Sequence, residues 1–249
     1  MMMLKDIIAV LDAIAPFETA EEWDNVGLIV GDSHSTVKSV LIALDPSLEV
    51  IHSARDSGID LILTHHPLIF NPIKQIDLQQ LPAKKIAILI NSHISLVSMH
   101  TNLDKAPGGV ADELAKKLEL IDVRTYGIMR TGSLSTPVPL KEWISALGIR
   151  TARYIDSGPM VSRVALCPGS GMDYWKQAHD IGCDTMITGD VRYHAGLDAK
   201  ESGLNVVDLG HYATEEIIIT PLAEKLHNEL NGVEIHAYHG RDIFSFYNN

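Results

Sequence analysis

Four histidines and two carboxylates in this chain have the types and spacing to hold metal ions. His65 and His66 stand side by side after the run Leu61-Ile62-Leu63-Thr64 and just before Pro67. Neighbouring side chains on a strand point to opposite faces. At a strand's end the chain turns, and Pro67 biases His66 to an extended backbone. Both rings can then lean into one crevice, and in open α/β sheets that crevice binds ligands. Two further histidines each precede an acid by four positions, in His100-Thr101-Asn102-Leu103-Asp104 and His211-Tyr212-Ala213-Thr214-Glu215. On a first helical turn, residues i and i+4 face the same way, so each imidazole and carboxylate can share a cation. Four imidazoles with two carboxylates suit borderline ions such as zinc, iron, manganese or cobalt. Calcium and magnesium prefer oxygen donors. Six side chains for two ions leave coordination positions open, as a catalytic site requires and a structural one does not. Each piece alone has a plainer meaning. The histidine pair can be a polar strand end, Asp104 a helix cap, and Glu215 a first-turn carboxylate favoured by the helix dipole.

The elements that must position these residues follow from the pattern of the chain. Leu4, Ile7, Ile8, Leu11 and Ile14 recur at helical spacing and predict a helix that ends before Pro16. Trp23-Asp24-Asn25-Val26-Gly27 predicts a turn into a short strand over 27–30. Buried strands are expected over 37–44 and 59–64, with a Ser-capped helix over 47–57 between them, closed by Gly58. Further elements are a helix from Pro82 to Asn91, a strand over 95–100, and a helix over 110–118 opened by Gly108-Gly109.

The second half echoes the first. Leu140 to Leu147 resembles Leu4 to Leu11, and Val164 to Asp190 overlays Val40 to His66 without a gap at an offset of 124. Val206 to Glu215 overlays Ser95 to Asp104 at an offset of 111, which places His211 on His100 and Glu215 on Asp104. Internal repeats reset the fold class. The expectation is α/β, two intertwined repeats of a helix-plus-βαβ unit with mostly parallel mixed sheets, divided as 1–124 and 125–249. Thr188-Gly189-Asp190 is the counterpart of Thr64-His65-His66, so the second copy lacks the histidine pair. Asp190 and His194 then become supporting or pocket residues, and Asp190, His194 and Glu21 are candidates for moving protons. Gly169-Ser170-Gly171, between a strand and a helix, is a candidate for holding an anion.

Composition narrows the classes. The 249 residues suffice for one large or two small domains, and 46% are apolar, as in a globular protein. A formal charge of -12 argues against a general affinity for nucleic acid and gives no reason to expect anionic membranes. The charged start Met1-Met2-Met3-Leu4-Lys5-Asp6 is unlike a signal peptide. No run approaches the roughly 18 apolar residues of a membrane span, so a cytoplasmic location is expected. Cys167 and Cys183 are too few and too far apart for a cysteine metal cluster or a disulfide framework and are expected to be core thiols. Neither a Gly-x-Ser-x-Gly elbow nor a cysteine nucleophile motif is present.

Four motifs in order carry a resemblance. Trp23-Asp24-Asn25-Val26-Gly27-Leu28, Thr64-His65-His66-Pro67, His100 to Asp104, and Gly210-His211-x2-Thr214-Glu215 resemble the hallmarks of the NIF-three-like family. Its members are often named GTP cyclohydrolase I type 2 homologues, and the chain is similar to its short bacterial form over almost the whole length. The resemblance implies intertwined α/β repeats, a ring-shaped homohexamer, and two divalent transition ions per chain (iron, zinc or manganese). It places the ligands on His65, His66, His100, Asp104, His211 and Glu215. It also implies a metal-dependent hydrolase acting on a nucleotide, with hydroxide attack opening the guanine imidazole ring of GTP and formate released. The alternative is a non-enzymatic metal-binding hexameric scaffold or regulatory interaction protein. One departure lies outside the ligands: Ala111 stands where the family pattern leads one to expect a polar residue.

Overall fold

Helical periodicity and buried apolar runs account for most of the elements in the computed structural model, which describes residues 1–148, 151–158 and 160–245. β1 (Met2–Met3) leads into α1 (Leu4–Ile14), which buries Leu4, Ile7 and Leu11. β2 (Gly27–Val30) and β3 (Thr36–Val37) follow, β3 pairing antiparallel with β1. The chain then alternates through β4 (Ser39–Ala43), α2 (Leu48–Asp56), β5 (Leu61–Thr64), α3 (Ala83–Asn91), β6 (Ser95–Ser98) and the short α4 (Thr101–Lys105). Every residue of β4, β5 and β6 is buried, as expected for strands covered on both faces. α2 starts where the Ser47 hydroxyl accepts from the Val50 amide at 3.1 Å.

Next come α5 (Val110–Lys117), β7 (Ile121–Tyr126), β8 (Met129–Val138), α6 (Leu140–Ala146), β9 (Arg153–Ile155), β10 (Val161–Leu166), α7 (Trp175–Asp180), β11 (Thr185–Thr188), α8 (Tyr193–Glu201), β12 (Asn205–Asp208) and α9 (His211–Glu215). α10 (Ile219–Glu229) and β13 (Glu234–Ala237) close the chain.

These elements form two units, each drawn from two stretches of chain. The first unit comprises Met1–Ala106 and Ile218–Gly240, and the second comprises Pro107–Ile217 with the described residues from Arg241 onward. Residues 107–118 join the second unit because Ala111, Leu114, Ala115 and Leu118 are buried with Trp143, Val164, Leu166 and Val207 there. α10 joins the first unit by packing on β4 and β13. The residues beyond 245 lie outside the described chain.

The first unit's sheet has the order β13-β4-β5-β6-β2, four parallel strands with β2 antiparallel at one edge. Its core gathers Leu41, Ala43, Ile51, Ile62, Leu89 and Leu96. The second unit's sheet has the order β7-β8-β10-β11-β12-β9. There only β10, β11 and β12 are mutually parallel; the other pairings are antiparallel. Mixed α/β architecture agrees with the sequence, but the second sheet is less parallel than predicted. A hairpin turning at Gly127 (φ +62°) and the edge strand β9 supply the antiparallel pairings. Ile121-Asp122-Val123-Arg124 in β7 alternates apolar and polar residues, yet residues 121–125 are all exposed, so the alternation marks no buried face.

The repeat survives in the register. Val40 pairs with Leu61 and Val164 with Thr185, equivalent positions 124 apart. The third strand differs from the ungapped overlay. Leu61 pairs with Ser95, whereas Thr185 pairs with Asn205, so the strands themselves match at an offset of 110. Gly210, at φ +87°, is the extra residue that restores the offset of 111 at the histidines. His100 therefore precedes α4, while His211 is the first residue of α9. Among the described residues no helix is long and apolar enough to cross a membrane.

Candidate metal centre

In the first unit, β5 delivers His65 and His66, and β6 delivers His100, all at the C-terminal edge of the parallel strands. Pairing continues past the strand ends: the His65 amide donates to Ala43 O (3.2 Å), the His66 amide to Leu44 O (3.0 Å), and the Met99 amide to Thr64 O (2.9 Å). The Thr64 hydroxyl donates to His66 O at 2.8 Å. This ladder aims the rings before any ligand arrives. The His65 Nδ1 lies 2.9 Å from Met99 O. A carbonyl only accepts, so Nδ1 carries the proton and Nε2 bears the lone pair. That Nε2 lies 3.6 Å from Asp104 Oδ1. The His66 Nδ1 donates to Asp45 Oδ1 at 2.7 Å, and the His100 Nδ1 to Asp24 Oδ1 at 2.8 Å.

Asp24 is fully buried as a side chain. Burial alone would raise its pKa, but hydrogen bonds from His100 and Thr101 outweigh it and hold the carboxyl at about 2. Its other oxygen takes the Thr101 amide at 3.0 Å and the Thr101 hydroxyl at 2.5 Å. Asn102 secures the same turn, accepting from the His100 amide and donating to Ala15 O. His65, His66 and His100 each offer one ring nitrogen, and these three atoms lie within 4.8 Å of one another. Imidazole nitrogens fixed in one tautomer by a carbonyl or carboxylate on the far side are the usual surroundings of a metal-binding histidine. The donor set therefore fits a borderline divalent ion.

The second unit carries a sparser set. β12 and Gly210 lead to His211, whose Nδ1 donates to Asp190 Oδ2 at 2.7 Å. One helical turn on, Glu215 places Oε2 at 3.0 Å from the His211 Nε2. A proton or a cation between the two is what that approach accommodates. Glu215 is buried, whereas Asp190 is half-exposed. Two glycines shape the pocket. A Cβ on Gly169 (φ +60°) would collide with the Glu215 carboxylate, and one on Gly189 would lie 2.7 Å from the His211 backbone nitrogen. Asp208 ties the turns together, accepting from the Gly210 amide (3.0 Å), the Val191 amide (3.1 Å) and the Arg153 guanidinium.

A family model described as Duf34/NIF3 (NGG1p interacting factor 3) matches residues 2–242. The chain belongs to the Duf34/NIF3 family. It is 38% identical to a GTP cyclohydrolase 1 type 2 homolog of Clostridium perfringens, over 98% of this chain and all of that one. It is 33% identical to the GTP cyclohydrolase 1 type 2 of Helicobacter pylori strain J99, over 92% of this chain and 93% of that one. Among solved structures, the Staphylococcus aureus hypothetical protein SA1388 superposes with a TM-score of 0.92 at 30% identity, covering 99% of both chains.

Within this Duf34/NIF3 chain, the first unit gathers His65, His66, His100 and Asp104, and the second gathers His211 and Glu215. The three candidates for proton movement fare differently. Asp190 is the acceptor that orients His211. Glu21 is held by Lys105, at 2.8 Å, and its amide donates to Thr101 Oγ1. His194 is exposed at the start of α8 with its ring against Tyr193. Two amides of the Gly169-Ser170-Gly171 loop are already engaged within the protein: the Gly169 amide donates to Thr214 Oγ1 and the Gly171 amide to Thr188 Oγ1. Ala111 lies in the core of the second unit, where a polar side chain would be buried. Sequence reasoning missed the orienting roles of Asp24 and Asp45. Asp24 follows Trp23 far upstream of His100, and Asp45 stands just past a buried strand. Only the second has a local signal, an acid at the C-terminal end of β4.

Proposed function

We propose that this chain is a metal-dependent hydrolase that opens the imidazole ring of guanine in GTP. One water adds at C8 and the C8–N9 bond breaks, leaving a formamide on N7. A second water hydrolyses that formamide, so formate leaves and N7 becomes a free amine. The observation that carries the proposal is the treatment of the four histidines. Each has its Nδ1 tied to an acceptor, a carbonyl for His65 and a carboxylate for His66, His100 and His211. Structural histidines have no reason to share one tautomer, whereas ligands do.

His65, His66, His100 and Asp104 from the first unit, and His211 and Glu215 from the second, would hold two divalent ions. When bound, such ions supply a nucleophilic water at neutral pH and stabilise developing negative charge. The chain's own residues set the conditions for that. Asp24, Asp45 and Asp190 hold three imidazoles in one tautomer and raise their basicity. Asp24, ionised down to about pH 2, stays an acceptor at every physiological pH. Asp190 is a positioning residue, since its carboxylate faces Nδ1 of His211. The homohexamer belongs to the same proposal, and the printed names of relatives such as the Helicobacter pylori protein support the substrate.

The test pairs metal content with turnover. Elemental analysis of protein purified without chelator or affinity tag is run beside a His65→Ala, Asp104→Ala double variant. Formate release from GTP is followed with manganese, zinc or iron present. Two transition ions per chain, lost in a variant that still folds, together with formate release, are the expected results. A wild type that holds no metal and cannot be reloaded would sink the proposal. Metal without turnover of GTP would leave the scaffold alternative in its place.

A further inference from the structure

Two exposed aromatic rings stand beside His100 in the first unit. Trp23 is 57% exposed and Phe70 is 49% exposed. Their ring centroids are 5.7 Å apart, and they lie 6.1 and 6.4 Å from that of His100. The chain is poor in aromatic residues, at 6%, and its other two tryptophans, Trp143 and Trp175, are buried. Leaving a large indole face in water is unfavourable, so an exposed pair beside a cluster of histidines calls for an explanation.

The pair is held in place. Trp23 precedes Asp24, which is anchored by three hydrogen bonds to His100 and Thr101. Asn25 donates from Nδ2 to Ile69 O at 2.5 Å, fastening the Trp23 turn to the loop that carries Phe70. The rings tilt at 51° to each other, and each stands at 76° to the imidazole of His100. A flat ring lying parallel to either one would stand steeply inclined, at 76°, to the imidazole of His100.

We infer that Trp23 and Phe70 form a stacking platform for a flat, conjugated ring of the purine class. For its place beside the reacting centre this rests on the hydrolase proposal; for binding it does not. Stacking recognises the face of a ring and tolerates differences at its edge. The platform therefore accepts adenine and guanine alike, and any discrimination between them lies elsewhere.

The experiment uses AMP, GMP and ribose 5-phosphate as probes, on zinc-loaded and on chelated protein. Trp23 is the exposed fluorophore, so stacking quenches emission in the wild type. AMP and GMP are expected to quench with affinities within a few-fold of each other, and ribose 5-phosphate is not. By calorimetry, Trp23→Phe keeps binding within a few-fold, while Trp23→Ala and Phe70→Ala each weaken it about tenfold. Thermal unfolding confirms that each variant folds, and Phe70→Ala serves if Trp23→Ala does not. Equal quenching by ribose 5-phosphate, or no binding of either purine to folded wild type, would overturn the platform. So would alanine variants that bind normally but change the molar mass in solution, because the rings would then be an interface. Quenching without GTP hydrolysis leaves the platform standing and removes only the hydrolase. GTP hydrolysis with an unchanged KM in Trp23→Ala removes only the platform.

Discussion

The two units carry one supersecondary plan and put it to different use. At the end of β5 the first unit places His65 and His66; at the end of β11 the second places Gly189 and Asp190. The reason is steric. Gly189 packs so closely on the backbone of Gly210 and His211 that a Cβ would sit 2.7 and 2.8 Å from their atoms, so no side chain fits there. At the end of β4 the first unit places Asp45, which orients His66. The matching position in the second unit is Gly169, whose missing side chain makes room for the Glu215 carboxylate. The orienting acid has moved as well. In the first unit the position of Asp190 is occupied by His66, a candidate ligand, while in the second it is the acid that holds His211. One copy has three histidines backed by buried and rim acceptors; the other has a single histidine and a buried glutamate. A duplicated frame can thus diverge by exchanging which strand end supplies the ligand and which supplies its support.

The largest effect is expected from forcing the second unit toward the first. Gly189→His should destabilise the protein by about 3 kcal/mol or more, because the added side chain meets backbone that cannot yield. Thermal denaturation measures this, and a variant as stable as wild type would break the comparison. Next come the orienting acids. Asp24→Asn is expected to lower metal affinity about ten- to hundredfold, with Asp190→Asn smaller because Asp190 is half-exposed; competition with a chromogenic chelator gives both values. Gly169→Ala follows. Its φ of +60° and the approach of Glu215 predict a loss of about 1–2 kcal/mol, whereas Asp45→Ala, at an exposed acid, should change stability by less than about 1 kcal/mol.

A pH effect also separates the units. Both cysteines lie in the second unit, so thiol chemistry reports on that unit alone. Burial pushes the Cys183 thiol up from 9.0 to about 11. The folded state keeps the proton that the unfolded state releases. Its contribution is complete below pH 9 and is lost as the pH rises toward 11. Melting curves at pH 8 and pH 10.5 should show a steeper loss for wild type than for Cys183→Ala, and Ellman's reagent should react slowly with the native protein at pH 8.

The chain by itself determined its helices, its buried strands and the six candidate ligands. Leu4, Ile7 and Leu11 specify α1 because a helix buries one stripe, and Ser47 starts α2 because its hydroxyl serves a backbone amide left over by the helix. The histidines were legible because they stand where apolar runs stop, and the spacing to Asp104 and Glu215 is local. Tertiary structure decided what depends on distant residues meeting. It brought Asp24 to His100 across 76 positions. It turned the Asp104 carboxylate toward His65, and it made Gly210 an insertion that the ungapped overlay concealed. It also assigned α5 to the second unit and α10 to the first, since an amphipathic helix specifies which of its faces is buried but not which core receives it.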